Sequence, residues 1–369
     1  MKNLKKDIPF VFNIPTKVFF GENALKNNAD VLKTLGSRAF IVAGANSGRL
    51  SGALIEIEEA LNRLNIAHAK FEGIGNNPNV SQCKEVGLMA REFGADFIIG
   101  IGGGSPLDAS KAVAVFAAND IDENRLFTYG YDKGVLPIVA VSTTSGTGSE
   151  ITPWSVMTVD SLKTKRSFGG ELTFPRIAIV DPKYTNGLSK EITLNTAIDA
   201  FTHCFESMFS IKASPITNAL NLYALELFGE CFNELMDGNV DNIRENLSLV
   251  SLFGGATISQ TGTTLMHAMG YPLTYFYHLP HGAANAVVLP TYLEIMKQYR
   301  CDILNTALGA MNITYDELLT QVSFKYSLKN KLNNDEILLF ASQTAAQSAA
   351  KNSGVPVSAK DFVDYFGRL

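Results

Sequence analysis

Between Val18 and about Asp181, short apolar runs alternate with stretches that are apolar along one face only: "RAFIVAG", "GALIEIEEALNRLN", "AHAKFEG", "VGLMAREFG", "ADFIIGIGGGS", "PLDASKAVAVFAA" and "LPIVAVSTTSGTGSE". Short β-branched strands separated by helical segments make βαβ units, and such units build a parallel sheet. The pattern predicts an α/β N-terminal domain. After "RIAIVDPKYTNGLSKE" the strand signals fade into long helical periodicity, as in "ALNLYALELFGECFNELM" and "NDEILLFASQTAAQSAAK". An all-α C-terminal domain is therefore expected. The boundary is placed at Asp181-Pro182, because Pro restricts the residue before it and the following segment is polar and turn-rich; the domains are then 1–181 and 182–369.

One helical stretch carries chemistry. In "NTAIDAFTHCFESMFS", residues 195–210, Asp199 and His203 stand four apart in a run free of Pro and Gly, which stacks both side chains on one helical face. The chain has five histidines, and three of them fall in "DAFTH", "LMHAMG" and "LPHGAAN". A single His on an apolar helix reads as a core residue. Here Asp199 and His203 offer O and N donors from one face, and His267 and His281 come from segments separated by Pro272 and Pro280. Three imidazoles and a carboxylate suit a divalent first-row metal. Four protein ligands nearly fill tetrahedral Zn²⁺, whereas Fe²⁺ accepts five or six and keeps positions open for substrate, so Fe²⁺ fits catalysis better and Zn²⁺ is the competing occupant. His278, three residues before His281, reads as outside the ligand set, and Cys204 points away from His203 on the helix.

Two glycine-containing stretches suggest a second ligand. "FIIGIGGGSPLDASKA" runs from a strand through Gly102, Gly103, Gly104 and Ser105 into a helix with Pro106 in its first turn. It reads either as a pyrophosphate cradle at a helix N-terminus or as a tight strand-to-helix turn; it matches neither GxGxxG nor a Walker loop. "VSTTSGTGSE" follows the next strand with six hydroxyls, including Thr143, Thr144 and Thr147. Two such loops after neighbouring strands favour a nucleotide at the carboxyl edge of the sheet. No carboxylate lies between Val42 and Leu54 to bind a ribose 2′-hydroxyl; Gly44, Asn46, Ser47 and Arg49 occupy that turn. NADP(H) is accordingly favoured over NAD(H), while Arg49 is equally readable as a solvated surface charge.

Composition narrows the classes of partner. The 369 residues are 46% hydrophobic, enough for two domains with substantial cores, and the net charge of −5 is spread without basic runs. No nucleic-acid surface is expected. Pro9 and Pro15 interrupt the first apolar stretch, so no signal peptide is read there, and no run is long enough for a membrane span. Cys83, Cys204, Cys231 and Cys301 lie far apart without CxxC spacing and read as free thiols. A cytoplasmic protein with a small-molecule partner is the expectation.

Taken together, "PTKVFFGENAL", "GGGSPLDASKA", "STTSGTGSE", "AIVDP", "AIDAFTHCFE" and "HAMGYPLTYFYHLPHGAANAVVLP" resemble the iron-containing, group III alcohol dehydrogenases, in their butanol-dehydrogenase-like branch. The last two are the specific motifs. The resemblance implies a Rossmann-like, dehydroquinate-synthase-like α/β domain followed by a helical catalytic domain, and a metal on Asp199, His203, His267 and His281. It also implies a nicotinamide cofactor on Gly102, Gly103, Ser105, Thr143 and Thr144, with Asn76, Asp108, Thr147 and Lys165 nearby, and a homodimer paired through N-terminal strands. Many relatives carry a second His where this chain has Tyr271, and many NAD-using relatives carry Asp where it has Gly44. The implied reaction is reversible hydride transfer between the cofactor and a small primary alcohol or aldehyde, the cation stabilising the alkoxide and Tyr271, His278 or a water carrying the proton. Alternatives are a polyol or phosphonoacetaldehyde-type reductase on the same scaffold, or a non-catalytic metal-binding protein.

Overall fold

The computed structural model describes residues 9–128, 130–159 and 164–369. The basic start of the chain, residues 1–8, where part of the signal-peptide reading falls, lies outside them. Six parallel strands form one sheet: β1 (Lys17–Phe20), β2 (Arg38–Gly44), β3 (Ala67–Ile74), β4 (Phe97–Gly102), β5 (Ile138–Ser142) and β8 (Ile177–Val180). Their order is β1-β8-β5-β4-β2-β3. Strand β2 shows why the apolar runs are continuous: Ala39, Ile41 and Ala43 enter one buried cluster while Phe40 and Val42 enter another on the opposite face. A sheet covered on both sides needs apolar residues at every position.

Helices α1 (Ala24–Asn28) and α3 (Ala53–Arg63) contribute to the first cluster, and α4 (Val80–Phe93) and α5 (Gly104–Ala118) to the second. A short helix, α2 (Ser47–Leu50), follows β2 directly. Chain order reverses between β2 and β4: β3 lies beyond β2, whereas β5 lies beyond β4. That switch point is where open parallel sheets bind ligands, outside the carboxyl ends of the strands. The hairpin of β6 (Ser155–Val159) and β7 (Thr164–Phe168) forms a separate antiparallel pair. The apolar-run pattern did not indicate it, because its buried positions alternate and include the polar Ser155.

The helical unit is built around α6 (Lys190–Phe209). Every residue from Ala197 to Phe209 is buried, which makes this the central helix of its unit. Helices α7 (Pro215–Asp237), α8 (Arg244–Thr261) and α10 (His281–Tyr299) pack directly on it, and α9 (Leu265–Phe276) packs on α10. Further helices are α11 (Cys301–Met311), α12 (Tyr315–Lys325), α13 (Asn334–Ala346), α14 (Ser348–Asn352) and α15 (Ala359–Phe366). Close approach to α6 depends on glycine: a Cβ on Gly254 of α8 would lie 3.1 Å from Ala200 O and from His203 Cβ, and one on Gly282 of α10 only 1.8 Å from Asn195 O. Pro272 inside α9 has no N–H for the carbonyl of Ala268. Thr344 Oγ1 and Gln347 Nε2 donate to that carbonyl instead, both at 3.3 Å.

By its contacts the chain divides at 188/189, a few residues after the Asp181-Pro182 junction. The intervening turn belongs with the sheet: Lys183 Nζ lies 2.9 Å from Glu56 Oε1 and Tyr184 Oη donates to Glu56 Oε2 at 2.8 Å. The helical unit starts where Ser189 caps α6, its side chain accepting from Ile192 N. Residues 9–13 group with that unit; Asn13 exchanges two 2.9 Å hydrogen bonds with the Gln260 amide. The helical run over "NDEILLFASQTAAQSAAK" is broken at Gln347, whose extended backbone separates α13 from α14. Among the described residues no helix is long and apolar enough to cross a membrane.

Candidate metal centre

Helix α6 places Asp199, His203 and Glu206 at i, i+4 and i+7, so all three share one face. His267 sits in the first turn of α9 and His281 is the first residue of α10. The three imidazole Nε2 atoms converge on one oxygen: Asp199 Oδ1 is 4.0 Å from His203, 3.7 Å from His267 and 3.8 Å from His281. Asp199, His203 and His267 form the tightest group and are buried. His281 stands at the rim, its side chain 30% exposed. The structure thus assembles all four residues expected to ligate.

Glu206 is the residue that the sequence reading passed over, although it closes the quoted "AIDAFTHCFE". Its Oε1 accepts from Thr264 N, Thr264 Oγ1, Met266 N and His267 N, at 2.7–3.3 Å, and so caps the start of α9. Its Oε2 pairs with His267 Nδ1. That bond places the proton of a neutral His267 on Nδ1 and leaves the Nε2 lone pair facing Asp199. Thr274 Oγ1 lies 3.4 Å from His281 Nδ1 and favours the same orientation there. Asn285 Nδ2 donates to Asp199 Oδ1 and to His267 Nε2, both at 3.3 Å.

Charge in this pocket is poised for a cation. Burial works to raise the carboxyl of Asp199, but His203, His281 and His267 outweigh it and hold Asp199 below the ordinary carboxylate range. Burial likewise opposes ionisation of Glu206, yet the His267 charge and hydrogen bonds lower it. For His267 burial favours the neutral ring, while Glu206 and Asp199 make it more basic than usual. Imidazole lone pairs aimed at a carboxylate oxygen in a buried site are mutually unfavourable unless a proton or a metal lies between them. The donor set is that of a borderline divalent ion, and the residues present fit one.

Tyr271 joins this group: its ring stacks on His281, with centroids 5.4 Å apart and planes at 17°, and meets His267 edge-on at 6.3 Å. His278 does not join it; it is exposed in the linker between α9 and α10, with a left-handed backbone at φ 54. Phe276 and Tyr277 turn to α13, Phe276 packing on Phe340 at 5.2 Å and Tyr277 Oη donating to Glu336.

In the α/β unit the two glycine and hydroxyl loops meet at the switch point. A Cβ on Gly103 would touch the Thr144 side chain at 3.0 Å, and one on Gly104 the Thr147 side chain at 2.7 Å. Thr143 N donates to Gly102 O across adjacent strands. The turn after β2 closes on the same place, since a Cβ on Gly44 would fall 2.5 Å from Ser47 Oγ and 3.1 Å from Pro106 Cγ. The 15-residue α5 starts without a side-chain cap, and Thr143 Oγ1 is buried without a hydrogen-bond partner. Free helix amides beside hydroxyls fit a pyrophosphate. Asn46, next in the β2 turn, precedes α2 without capping it.

Two of the expected cofactor residues are placed differently. Asn77, not its neighbour Asn76, links the group: its N–H donates to Ser105 Oγ at 3.3 Å and its Oδ1 accepts from Lys165 Nζ at 2.6 Å. Asp108 turns inward, because both carboxylate oxygens are engaged, Oδ1 by Ser149 Oγ at 2.6 Å and Oδ2 by Val156 N at 2.8 Å. Beside it, fully buried Lys111 donates to Ser149 Oγ and Trp154 O. Burial pulls the Lys111 ammonium down to about 8, against the opposing charges of Asp108 and Glu150. Asp108 and Lys111 therefore fasten the hydroxyl loop and the β6–β7 hairpin to α5.

Comparison with known proteins places the chain among known families. The family model described as iron-containing alcohol dehydrogenase matches residues 15–182, and that of the Fe-containing alcohol dehydrogenase family C-terminal region matches residues 193–353. Alcohol dehydrogenase 4 of Saccharomyces cerevisiae is 32% identical over 293 residues, 78% of this chain and 76% of the relative. Sulfoacetaldehyde reductase of Bilophila wadsworthia is 34% identical over 284 residues, 76% of this chain and 73% of the relative. The crystal structure of an iron-containing alcohol dehydrogenase from Thermotoga maritima superposes with a TM-score of 0.90 at 32% identity, covering 98% of this chain and 99% of that one.

Proposed function

The chain belongs to the iron-containing alcohol dehydrogenase family, and from that premise we propose that it transfers hydride reversibly between a nicotinamide dinucleotide and a small primary alcohol or its aldehyde. The observation that carries the proposal is the convergence of His203, His267 and His281 Nε2 on Asp199 Oδ1 within 4.0 Å. These four residues would hold Fe²⁺, with Zn²⁺ as competitor on affinity grounds. A divalent ion there supplies Lewis-acid stabilisation of an alkoxide and polarisation of an aldehyde carbonyl.

The chain's own residues supply the rest. Glu206 fixes the His267 tautomer, and the buried walls around Asp199 exclude water from three of the donors. Tyr271, stacked on the rim ligand His281, is the proposed proton carrier, and exposed His278 is left out of that role. The α5 amides with Thr143, Thr144 and Thr147 would bind the pyrophosphate. NADP(H) is the proposed preference, since Gly44 puts no carboxylate at the end of β2, where a side chain would press on Ser47 and Pro106. We place the protein in the cytoplasm as a homodimer; four free cysteines suit the compartment, and among the described residues β1 pairs on one side only, with β8, leaving an edge for a second copy.

A panel of short aldehydes, polyol precursors and phosphonate aldehydes, run with NADH and NADPH on anaerobically iron-loaded protein, tests the reading. Butanal-type substrates are expected to be reduced and chelation to abolish the rate. A protein with metal bound that oxidises neither cofactor with any aldehyde would be a metal-binding protein without this activity.

A further inference from the structure

Strand β3 lies outside β2 at the edge of the sheet, and Glu72 near its end is in register with Ala43, one residue before Gly44. Paired residues of a parallel ladder face the same side, so the Glu72 carboxylate comes up beside α2. There it takes the Arg49 guanidinium in a two-pronged pair, Nε to Oε2 at 2.6 Å and Nη2 to Oε1 at 2.7 Å. The sequence reading left open whether Arg49 is a phosphate ligand or a solvated charge. The geometry shows a third arrangement: it is held, but at the surface, with 55% of its side chain exposed.

A second cation shares the same carboxylate. Lys70 Nζ lies 3.1 Å from Glu72 Oε1 and 2.7 Å from Glu58 Oε1. Glu72 therefore keeps a counter-charge when Arg49 leaves it. Arg49 is the exposed partner, at 55% against 17% for Glu72, and guanidinium binds phosphate through the same two-pronged geometry as carboxylate. The pair stands at the outer edge of the turn that follows β2, the strand neighbouring the Gly-rich β4, and in sheets of this kind that turn receives the adenosine ribose.

We propose that Arg49 is the specificity-determining residue for a cofactor 2′-phosphate and that Glu72 holds it in waiting, Arg49 exchanging the carboxylate for the phosphate while Glu72 stays paired with Lys70. A cofactor with a free 2′-hydroxyl offers Arg49 nothing to exchange for. Glu72 competes with the phosphate and so sets how strongly the phosphorylated cofactor is preferred. This inference rests on the dinucleotide reading given above.

The test is equilibrium binding, independent of turnover. Isothermal titration of the whole protein with NADP⁺ and NAD⁺, and with the fragments 2′,5′-ADP and 5′-AMP, gives the ratio of Kd with and without the 2′-phosphate. Arg49→Gln is expected to shift that ratio against the phosphorylated member by roughly ten-fold or more, the weight of a lost charge-assisted, two-pronged contact. Glu72→Gln is expected to shift it the other way by a few-fold. Both variants alter exposed or half-buried side chains, and their opposite signs separate the exchange from general damage. Ratios unchanged in both variants, with nucleotides still binding, would overturn the role of this pair and leave the dinucleotide reading standing. Failure of wild-type protein to bind any of the four would overturn both.

Discussion

Glu206 shows how much of a candidate metal centre lies behind the residues that would ligate. It receives four donors at the start of α9 and grips His267 from the side opposite Asp199. Glu206→Gln keeps the shape and removes the charge; divalent-ion affinity, measured by chelator competition, should fall about 10–100-fold. A second expectation concerns metal-free protein in acid. Asp199 and Glu206 both titrate below their ordinary values in the fold, so the stability they add is complete above about pH 4 and drains away as pH falls through their lowered values. His267 is raised, so its share is complete below about pH 6.5 and is lost as pH rises through its folded value. Urea midpoints from about pH 4 downward should therefore fall less steeply in Glu206→Gln than in wild type; equal slopes would show that the carboxylate contributes nothing to acid stability. The candidate donors on α6 were readable because Asp and His four apart are unusual on so apolar a helix. Glu206 was passed over because a Glu on a helix is ordinary until its partner, sixty-one residues away in the chain, is brought to it. Asp108, placed near the cofactor by the resemblance alone, has its carboxylate engaged by Ser149 and the backbone of β6, which only the folded chain shows.

At the level of elements, two contacts hold the sites in place. A Cβ on Gly282 would collide with the Asn195 carbonyl of α6, so Gly282→Ala should displace the start of α10, and with it His281. The expected result is a loss of about 1–3 kcal/mol in urea unfolding together with weaker metal binding. In the other unit, Lys111→Met removes the cation that sits beside Asp108 and donates to Ser149 and Trp154. Truncating one partner of a buried charge pair typically costs about 3–5 kcal/mol, and the hydroxyl loop should loosen, raising the Kd for dinucleotide. Unfolding midpoints and nucleotide titration check both effects. The parallel strands were legible because both faces of β2 and β4 are covered, which forces unbroken apolar runs. The β6–β7 hairpin, with one face covered and Ser at a buried position, produced too weak an alternation. The break at Gln347 was also hidden, since no Pro or Gly marks it and the Gln347 side chain itself is spent on the Ala268 carbonyl freed by Pro272.

For the whole molecule, the chain divides into two units near the change from strand to helical rhythm; residues 9–13 group with the helical unit, and the junction lies at 188/189 because the Pro182–Thr185 turn is tied to Glu56 of α3 before Ser189 opens α6. Family membership adds what the fold alone does not: the chemistry expected of three ring nitrogens that meet on one carboxylate oxygen. The most direct test is butanal-dependent oxidation of NADPH by metal-free protein as Fe²⁺ is titrated back under anaerobic conditions. The account predicts no rate without metal, a rise that breaks at one ion per chain, and no recovery in His267→Ala. Full activity in the metal-free protein, or an identical titration for His267→Ala, would contradict it.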